Sequence, residues 1–382
     1  MSQINVRNLS NENDDGSPEI VGVSTFSATS FFVPPKGSTA ERPSDCEPGS
    51  IRFNTDTANL EYFRGKTLGW SQFELVTPNL GGGTGSNTGL GIRGLFAGGF
   101  ISPTGTARTN IIDFITISTL GNAQDFGDRT HTSDTCAGAA SKTRGVIAGG
   151  YAGSETNVIE FVTISSLGDA LDFGDLPSNR RNRDGCGDTV RGLFGGGYPQ
   201  SAQIDYITFE SLGNAIDFGD LTQTRYNSGA LSSSTRAVFA GGNASPTSPN
   251  SNVIDFVTIR TTGNATDFGD LIGTMGTGGF SGTSNSTRGL IGIADSNSIE
   301  FITIATTGNA QDFGDATYNL GSHAAAGSPT RAVFAGGGAS PAPLTNSMDF
   351  VEILTTGNGL DFGDLTDGRQ SLAGFSNGHG GL

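Results

Sequence analysis

Short apolar runs, separated by glycine-rich and polar turns, recur along most of the chain, and none has the spacing of an amphipathic helix. The run VFAGG (238–242) predicts a buried strand, and IDFVTI (254–259), apolar on both faces, predicts a strand that is covered on both sides. The Gly-Asn pair of TTGNA (261–265) predicts a tight turn, and DFGDL (267–271) predicts a further strand. The small-residue segment RYNSGALSSS (225–234) predicts a fourth strand in crowded surroundings.

This order of segments is a sequence repeat that occurs six times. The tetrapeptide Asp-Phe-Gly-Asp occurs at start-to-start spacings of 47, 45, 50, 45 and 49 residues, at 125–128, 172–175, 217–220, 267–270, 312–315 and 361–364. Four strands repeated at this period predict an all-β protein with a six-bladed β-propeller. A solenoid is the alternative, but it needs capping repeats with polar outer faces, and none is apparent.

The repeat resembles a kelch blade. The matching positions of the clearest copy are Arg225, Gly229, Gly241, Gly242, Asp255 and Phe256. The copy departs from the kelch pattern at Phe268, where kelch blades carry a tryptophan on the outer strand. The resemblance implies a six-bladed, kelch-like propeller over 93–382 and implies no particular activity.

Two segments compete to supply the innermost strand of the first blade. The tail GRQSLAGFSNGHGGL (368–382) aligns with the small-residue strand of the other repeats, and no further blade follows it. The segment GGGTGSNTGLG (81–91) also precedes a strand of the right type, but it has almost no side chains to pack. The tail is the preferred closing strand, and 79–92 is interpreted as a glycine-rich linker.

Residues 1–78 do not share the repeat and predict a separate small β module. The segment 17–35 has strand character, and 49–76 alternates as a hairpin. The segment resembles a module of virion structural proteins and tail fibres of tailed bacteriophages, particularly cyanophages. The residues that carry the resemblance are Pro34, Pro35, Glu41, Arg42, Pro43, Gly49 to Thr57, Leu60 to Phe63, Gly65 and Trp70. The resemblance implies a virus-particle component, with Phe31, Phe32, Phe53, Tyr62 and Trp70 as candidate attachment residues.

Composition agrees with short strands and tight turns. The chain of 382 residues has 60 glycines, about twice the usual share, and its 25 phenylalanines supply core material. A formal charge of −16 argues against nucleic acid as a partner, and no apolar run approaches the ~20 residues of a membrane span. The three cysteines, Cys46, Cys136 and Cys186, are expected to be free thiols.

The Asp-Phe-Gly tripeptide also occurs in protein kinases, where its aspartate binds magnesium. Six copies without a His-Arg-Asp loop exclude that function here. The repeated phenylalanine is instead expected to pack between neighbouring blades. The flanking aspartates are interpreted as partners of backbone groups or of the repeated arginines, with solvated turn carboxylates and a calcium site as alternatives. The repeated arginines are Arg93, Arg144, Arg191, Arg236, Arg288 and Arg331.

The sequence predicts a binding protein without catalytic activity or cofactor. Its three histidines lie in unrelated contexts, and no Gly-x-Ser-x-Gly motif is present. The loops that join the second and third strands vary most between repeats, among them FISPTGTARTN (100–110) and YPQSAQ (198–203), which favours specific contacts there. The basic cluster SNRRNR (178–183) could meet an acidic glycan, an acidic protein surface or only solvent. The candidate contact residues are Arg180, Arg181, Arg183, Tyr198 and Tyr226.

Together these observations predict an external virion protein, made in the host cytoplasm and present in multiple copies per particle. The N-terminal module is expected to bind other virion proteins, and the propeller to recognise a glycan or protein of the host surface. The alternative is a decorating or joining protein of the particle that has no host ligand. No membrane insertion is expected.

Overall fold

A computed structural model describes residues 34–57, 59–72, 92–101, 107–244, 250–273, 279–338 and 344–382. The chain divides into two compact units, Met1–Val76 and Thr77–Leu382. Nearly all regular structure is β; the exception within the described ranges is one 3-10 helix, Thr39–Glu41. The fold is therefore all-β, as the sequence predicts.

The described residues of the first unit, from 34 to 72, form one four-stranded sheet. Its strands, in sheet order, are β1 (Lys36–Gly37), β2 (Ile51–Asn54), β3 (Asn59–Phe63) and β4 (Trp70–Gln72). Strand β1 pairs in parallel with β2, and the other pairs are antiparallel. Glu61 lies fully buried, where it binds the Arg42 guanidinium and accepts a hydrogen bond from Asn54 Nδ2 at 2.7 Å. The hydrogen bond from Arg42, which outweighs the opposing effect of burial, lowers the pKa of the Glu61 carboxyl.

The described residues of the second unit form 24 strands. In chain order they are β5 (Arg93–Ala97), β6 (Ile111–Thr116), β7 (Gln124–Asp128), β8 (Ala137–Ala140), β9 (Arg144–Ala148), β10 (Val158–Thr163), β11 (Leu171–Asp175), β12 (Asp184–Gly187), β13 (Arg191–Gly195), β14 (Ser201–Thr208), β15 (Ile216–Arg225), β16 (Gly229–Ser232), β17 (Arg236–Ala240), β18 (Val253–Thr258), β19 (Thr266–Asp270), β20 (Ser281–Ser284), β21 (Arg288–Gly292), β22 (Ser298–Thr303), β23 (Gln311–Asp315), β24 (Ala324–Gly327), β25 (Arg331–Ala335), β26 (Ser347–Glu352), β27 (Leu360–Asp364) and β28 (Ala373–Ser376).

These strands form six antiparallel sheets of four. Sheet 1 is β28-β5-β6-β7, sheet 2 is β8 to β11, sheet 3 is β12 to β15, sheet 4 is β16 to β19, sheet 5 is β20 to β23, and sheet 6 is β24 to β27. The tail thus supplies the first strand of sheet 1, as predicted: Ala373 pairs with Ala97 and Phe375 with Leu95. The competing segment 81–91 lies outside the described residues.

The sheets succeed one another in a closed cycle of neighbours. The first strand of each sheet lies beside the first strand of the next, and β24 of sheet 6 lies beside β28 of sheet 1. The buried apolar residues form six clusters, and each cluster draws its members from two neighbouring sheets. The core of the second unit therefore lies between sheets.

The repeated phenylalanine of Asp-Phe-Gly-Asp belongs to this core, as predicted. All six copies are 2% exposed: Phe126, Phe173, Phe218, Phe268, Phe313 and Phe362. Each ring packs edge-on against the aromatic residue of its sheet's third strand, as Phe126 does against Phe114 at 5.9 Å between ring centroids. Phe126 also belongs to a cluster with Ile147 and Val162 of sheet 2.

The Asp-Phe-Gly-Asp segment around each of these phenylalanines contacts the next sheet. The Phe126 carbonyl accepts a hydrogen bond from the amide of Gly168 in sheet 2 at 2.9 Å. The Asp128 amide donates to the Asp169 side chain at 3.0 Å, and in the other sheets an asparagine takes the place of Asp169. The repeated Gly-Asn turn and the Asp-Phe-Gly-Asp strand are therefore the two halves of one contact between neighbouring sheets.

The interpretation that the repeated arginines pair with these aspartates is wrong. Each arginine donates a hydrogen bond to a backbone carbonyl of the following sheet, as Arg93 Nη1 does to Ile164 at 2.7 Å. Its guanidinium carbon lies 4.4–4.9 Å from the centroid of an aromatic ring in its own sheet. Carboxylates such as Asp125 are exposed and can form hydrogen bonds with water. The carbonyl groups at the ends of the strands need a donor instead, and the arginines provide it.

A different set of acidic residues pairs with arginine. The third strand of each sheet carries one buried carboxylate. In four sheets, this carboxylate binds an arginine that precedes the first strand of the sheet in sequence. Arg225 and Asp255 are both fully buried, with 2.9 Å between Nη2 and Oδ2. The other three pairs are Arg129 with Glu160, Arg183 with Asp205, and Arg369 with Asp113.

Candidate functional site: an arginine–aromatic cluster

One pair of positions in the repeat carries different side chains in different sheets. The first position lies seven residues after the repeated arginine and holds Phe100, Tyr151, Tyr198, Asn243, Asp295 and Gly338. The second lies three residues before the first strand of a sheet, and a β-bridge joins it to the first position in four sheets. The bridged pairs are Gln370 with Phe100, Asp134 with Tyr151, Arg181 with Tyr198, and Tyr226 with Asn243. Large aromatic side chains are thus confined to one part of the cycle.

These side chains form an alternating stack that we call the arginine–aromatic cluster. Arg108 lies between two rings, with its guanidinium carbon 5.0 Å from the centroid of Phe100 and 4.6 Å from that of Tyr151. Arg181 lies between the next two rings, 4.6 Å from Tyr151 and 4.8 Å from Tyr198. The members of the cluster are Phe100, Arg108, Tyr151, Arg181, Tyr198 and Tyr226.

The last two rings of the cluster meet edge to face. The centroids of Tyr198 and Tyr226 are 5.5 Å apart and their planes make an angle of 75°. This is the geometry that the quadrupoles of aromatic rings favour. Tyr198 is 37% exposed, so this part of the stack is open to solvent.

The two arginines differ in how well their charges are satisfied. Arg108 Nε donates to Asp134 Oδ2 at 2.9 Å, and the Asp134 side chain is 2% exposed. Burial, partly offset by Thr135 and Arg108, raises the pKa of the Asp134 carboxyl. Arg181 Nε lies 3.5 Å from Glu155 Oε1, too far for a good hydrogen bond, and within the described part of the chain it has no hydrogen-bond partner.

A rigid backbone frame supports the cluster. Thr135, Asn182, Asn227, Ser322 and Ser371 all have φ between 53° and 60° and occupy equivalent positions before a first strand. Their backbones are linked from sheet to sheet: Asn182 N donates to Thr135 O, Asn227 N to Asn182 O, and Thr135 N to Ser371 O, at 2.8–2.9 Å. A β-branched residue such as Thr135 rarely adopts a left-handed conformation, which marks this frame as locally strained.

The cluster lines an open cavity of about 360 Å³, together with Asp134, Thr135 and Asn182. Ligand sites for small molecules commonly enclose about 300–1,000 Å³. By contrast, two cavities lined by the first strands enclose only about 60 and 30 Å³. The space between the first strands therefore admits no more than a few water molecules, whereas the cluster can accommodate a small ligand.

The structure brings together three of the five predicted contact residues, Arg181, Tyr198 and Tyr226. Arg180 donates instead to Ser178 Oγ and to the Pro199 carbonyl, both at 2.9 Å, and does not line the cavity. The inclusion of Arg183 is corrected, because its side chain is 1% exposed and bonds to Asp205 at 2.6 Å. Burial lowers the pKa of Arg183, and Asp205 opposes that effect.

Three members of the cluster were not among the predicted contact residues: Phe100, Arg108 and Tyr151. Phe100 and Arg108 lie in the variable segment 100–110, part of which is outside the described residues. The signal was present in the repeat, because Phe100, Tyr151 and Tyr198 follow the same Gly-Gly pair. Aligning that position across all six repeats would have found all three aromatic residues.

The candidate attachment residues of the first unit do not share one surface. Phe53 pairs with Leu60 and Tyr62 with Ile51, which places Phe53 and Tyr62 on one face of the sheet. Trp70 pairs with Phe63 on the other face, where the two rings lie 5.3 Å apart and Trp70 Nε1 donates to the Pro43 carbonyl. Phe31 and Phe32 lie outside the described residues.

The described ranges contain no group of three or more histidine, cysteine or acidic side chains arranged to hold a metal ion. All three cysteines are free. None of the helical structure in those ranges has the length and apolar character needed to cross a bilayer. Neither the protein-family models nor the curated proteins include a match to the chain.

Proposed function

We propose that the second unit is a six-bladed β-propeller and that each four-stranded sheet is one blade. The closed cycle of neighbouring first strands supports this proposal, as does the pairing of β28 with β5. A solenoid would leave each terminal repeat with a neighbour on one side only, whereas the contacts of sheet 6 return to sheet 1. A low-resolution reconstruction of the purified chain tests the proposal, because an open arc of sheets would contradict it.

We further propose that the chain is a non-enzymatic external component of a tailed-bacteriophage particle. The first unit would bind other virion proteins, and the propeller would recognise the host surface through the arginine–aromatic cluster. The observation that carries host recognition is the confinement of Phe100, Tyr151 and Tyr198 to consecutive sheets, while the equivalent positions elsewhere hold Asn243, Asp295 and Gly338. Core packing does not require this asymmetry, because all six sheets share the same core pattern.

The test for host recognition uses the full chain on a glycan array and on envelope polysaccharide extracted from the host. Binding is expected and should fall at least about tenfold in Tyr198→Ala, because tyrosine and arginine dominate binding energy at recognition sites. Ile216→Ala is the matched control, since Ile216 is also exposed but lies on the outer strand β15. Absence of binding to any glycan or host surface would favour the alternative, a decorating or joining role in the particle.

The virion assignment has its own test. Mass spectrometry of purified particles should detect the chain, and a particle reconstruction should place the propeller outside the capsid or tail. Absence of the chain from purified particles would contradict the assignment, whatever the result of the glycan experiment.

A further inference from the structure

We infer that the arginine–aromatic cluster binds a saccharide that carries a carboxylate, with the carboxylate hydrogen-bonded to the Arg181 guanidinium. This inference rests on the proposed function, because it names the ligand class of the same recognition site. It is carried by the difference between the two arginines, the stacking of Arg181 and the size of the cavity.

Of the two arginines in the cluster, Arg181 is the one whose Nε donor is not satisfied. Its Nε atom is buried and has no hydrogen-bond partner among the described residues, and the nearest carboxylate oxygen, on Glu155, is 3.5 Å away. The Nε of Arg108, by comparison, is bonded to Asp134 at 2.9 Å. A buried donor without a partner is unfavourable, so a ligand that accepts its hydrogen bond gains more than the same contact would give in water.

Stacking determines which ligand group can reach Arg181. The guanidinium carbon lies over the rings of Tyr151 and Tyr198, 4.6 and 4.8 Å from their centroids. A group that hydrogen-bonds to Arg181 must approach in the guanidinium plane, because all of the guanidinium N–H groups point along that plane. A planar group with two acceptor oxygens matches them, and the carboxylate is the group for which this two-pronged geometry is best known in proteins.

The remaining lining of the cavity suits a sugar. A volume of about 360 Å³ holds one or two pyranose rings, and the tyrosines present both apolar ring surface and hydroxyl groups. The formal charge of −16 would repel a polyanion at long range, but charges more than a Debye length of ~8 Å away are largely screened at physiological salt. Within that distance Asp134 is bonded to Arg108, whereas Glu155 makes only a long contact with Arg181, so the ligand carboxylate has to replace Glu155 beside Arg181.

The experiment compares the full chain on matched pairs of oligosaccharides: one bearing a uronic or sialic carboxylate, and the same compound with that carboxyl reduced to a hydroxymethyl group. The carboxylated member should bind at least about tenfold more tightly, and Arg181→Gln should abolish the preference. Arg180→Gln is the control, because Arg180 lies next to Arg181 in sequence but outside the cavity. Melting temperatures of both variants establish that they fold.

The possible failures can be told apart. If both oligosaccharides bind equally well and Tyr198→Ala binds neither, the ligand does not need a carboxylate, but host recognition at this site is still supported. Preference for the carboxylated member that survives in Arg181→Gln would place the ligand elsewhere and overturn the site. Binding of neither member, nor of anything else on the array, would overturn this inference and host recognition together. If Arg181→Gln does not fold, the matched ligands on the unmodified chain still test the carboxylate, and Arg181→Lys, which keeps the charge but loses the two-pronged geometry, tests the site in its place.

Discussion

The side-chain oxygen of Asn122 accepts a hydrogen bond from the backbone amide of Asp364 at 3.1 Å, although 242 residues separate them. This contact joins sheet 6 to sheet 1 with the same geometry that joins every other pair of neighbouring sheets. The first and last repeats therefore close the cycle twice, once through β28 and β5 and once through the turn at Asn122.

The closing contact can be tested with two glycines of similar backbone conformation. Gly363 has φ 139° and Gly121 has φ 143°, so alanine is strained at both. A β-carbon at Gly363 would lie 2.5 Å from the carbonyl of Gly121, whereas a β-carbon at Gly121 would meet nothing within 4 Å. Gly363→Ala should therefore lower the free energy of unfolding by about 1–3 kcal/mol more than Gly121→Ala does. Denaturant titration of both variants measures the difference, and equal losses would show that the two sheets are not in close contact.

The repeated phenylalanine should be important for stability. Phe218 is 2% exposed and packs against Tyr206, so Phe218→Ala should lower the free energy of unfolding by about 3–5 kcal/mol. Ile216 lies on the same strand but is 60% exposed, and Ile216→Ala should cost less than about 1 kcal/mol. Urea unfolding compares the two, and a loss below about 1 kcal/mol for Phe218→Ala would place that side chain at the surface.

The buried pair of Arg225 and Asp255 should not tolerate loss of one partner. Asp255→Asn keeps the shape of the side chain but leaves the Arg225 charge unpaired and fully buried. The expected loss is about 3–5 kcal/mol in the free energy of unfolding. Glu352→Gln is the comparison, because its pair with Arg331 is half exposed and should contribute less than about 1 kcal/mol. A small loss in Asp255→Asn would mean that water reaches Arg225.

His323 should make stability depend on pH. Burial lowers its pKa to about 4, opposed only in part by a hydrogen bond with the Leu320 carbonyl, while the unfolded value is about 6.5. Between these values the unfolded chain binds a proton that the folded chain does not. The contribution of neutral His323 is therefore complete above about pH 6.5 and is lost as the pH falls towards 4, by about 3 kcal/mol in total.

The measurement compares the chain with His323→Phe, which retains an aromatic ring beside Phe334. The difference in unfolding free energy between the two proteins should change by about 3 kcal/mol between pH 7 and pH 4. A constant difference over that range would show that His323 is protonated in the folded chain or accessible to water.

The core of the second unit was predictable from the sequence because each repeat constrains the others. The six copies of Asp-Phe-Gly-Asp indicate that Phe126 and its equivalents are buried. The small-residue strand that the repeats share identifies the tail as the partner of β5. The predicted pairing of the repeated arginines with the aspartates of Asp-Phe-Gly-Asp was wrong. The two charges occur in the same repeat, but the fold keeps them apart. Which acidic residue meets which arginine depends on contacts between sheets, as Arg225 and Asp255 show.

The candidate site was harder to predict for the same reason. Arg181 and Tyr198 belong to one sheet, but Arg108 and Tyr151 belong to two others and meet only because the sheets are neighbours. Variation within the repeat pointed to the correct loops. It could not distinguish Arg181, held between two rings, from Arg183, buried two residues later.

The pairing of β28 with β5 also has a consequence for synthesis of the chain. The Arg93 amide bonds to the side chain of Asn377, 284 residues later. At about 5–20 residues per second, the ribosome needs roughly 15–60 seconds to produce that partner. Throughout this time one edge of β5 has no neighbour and is open to pairing with other nascent chains. The rate of translation, and the spacing of ribosomes on the message, should therefore influence how much of the protein reaches its closed form.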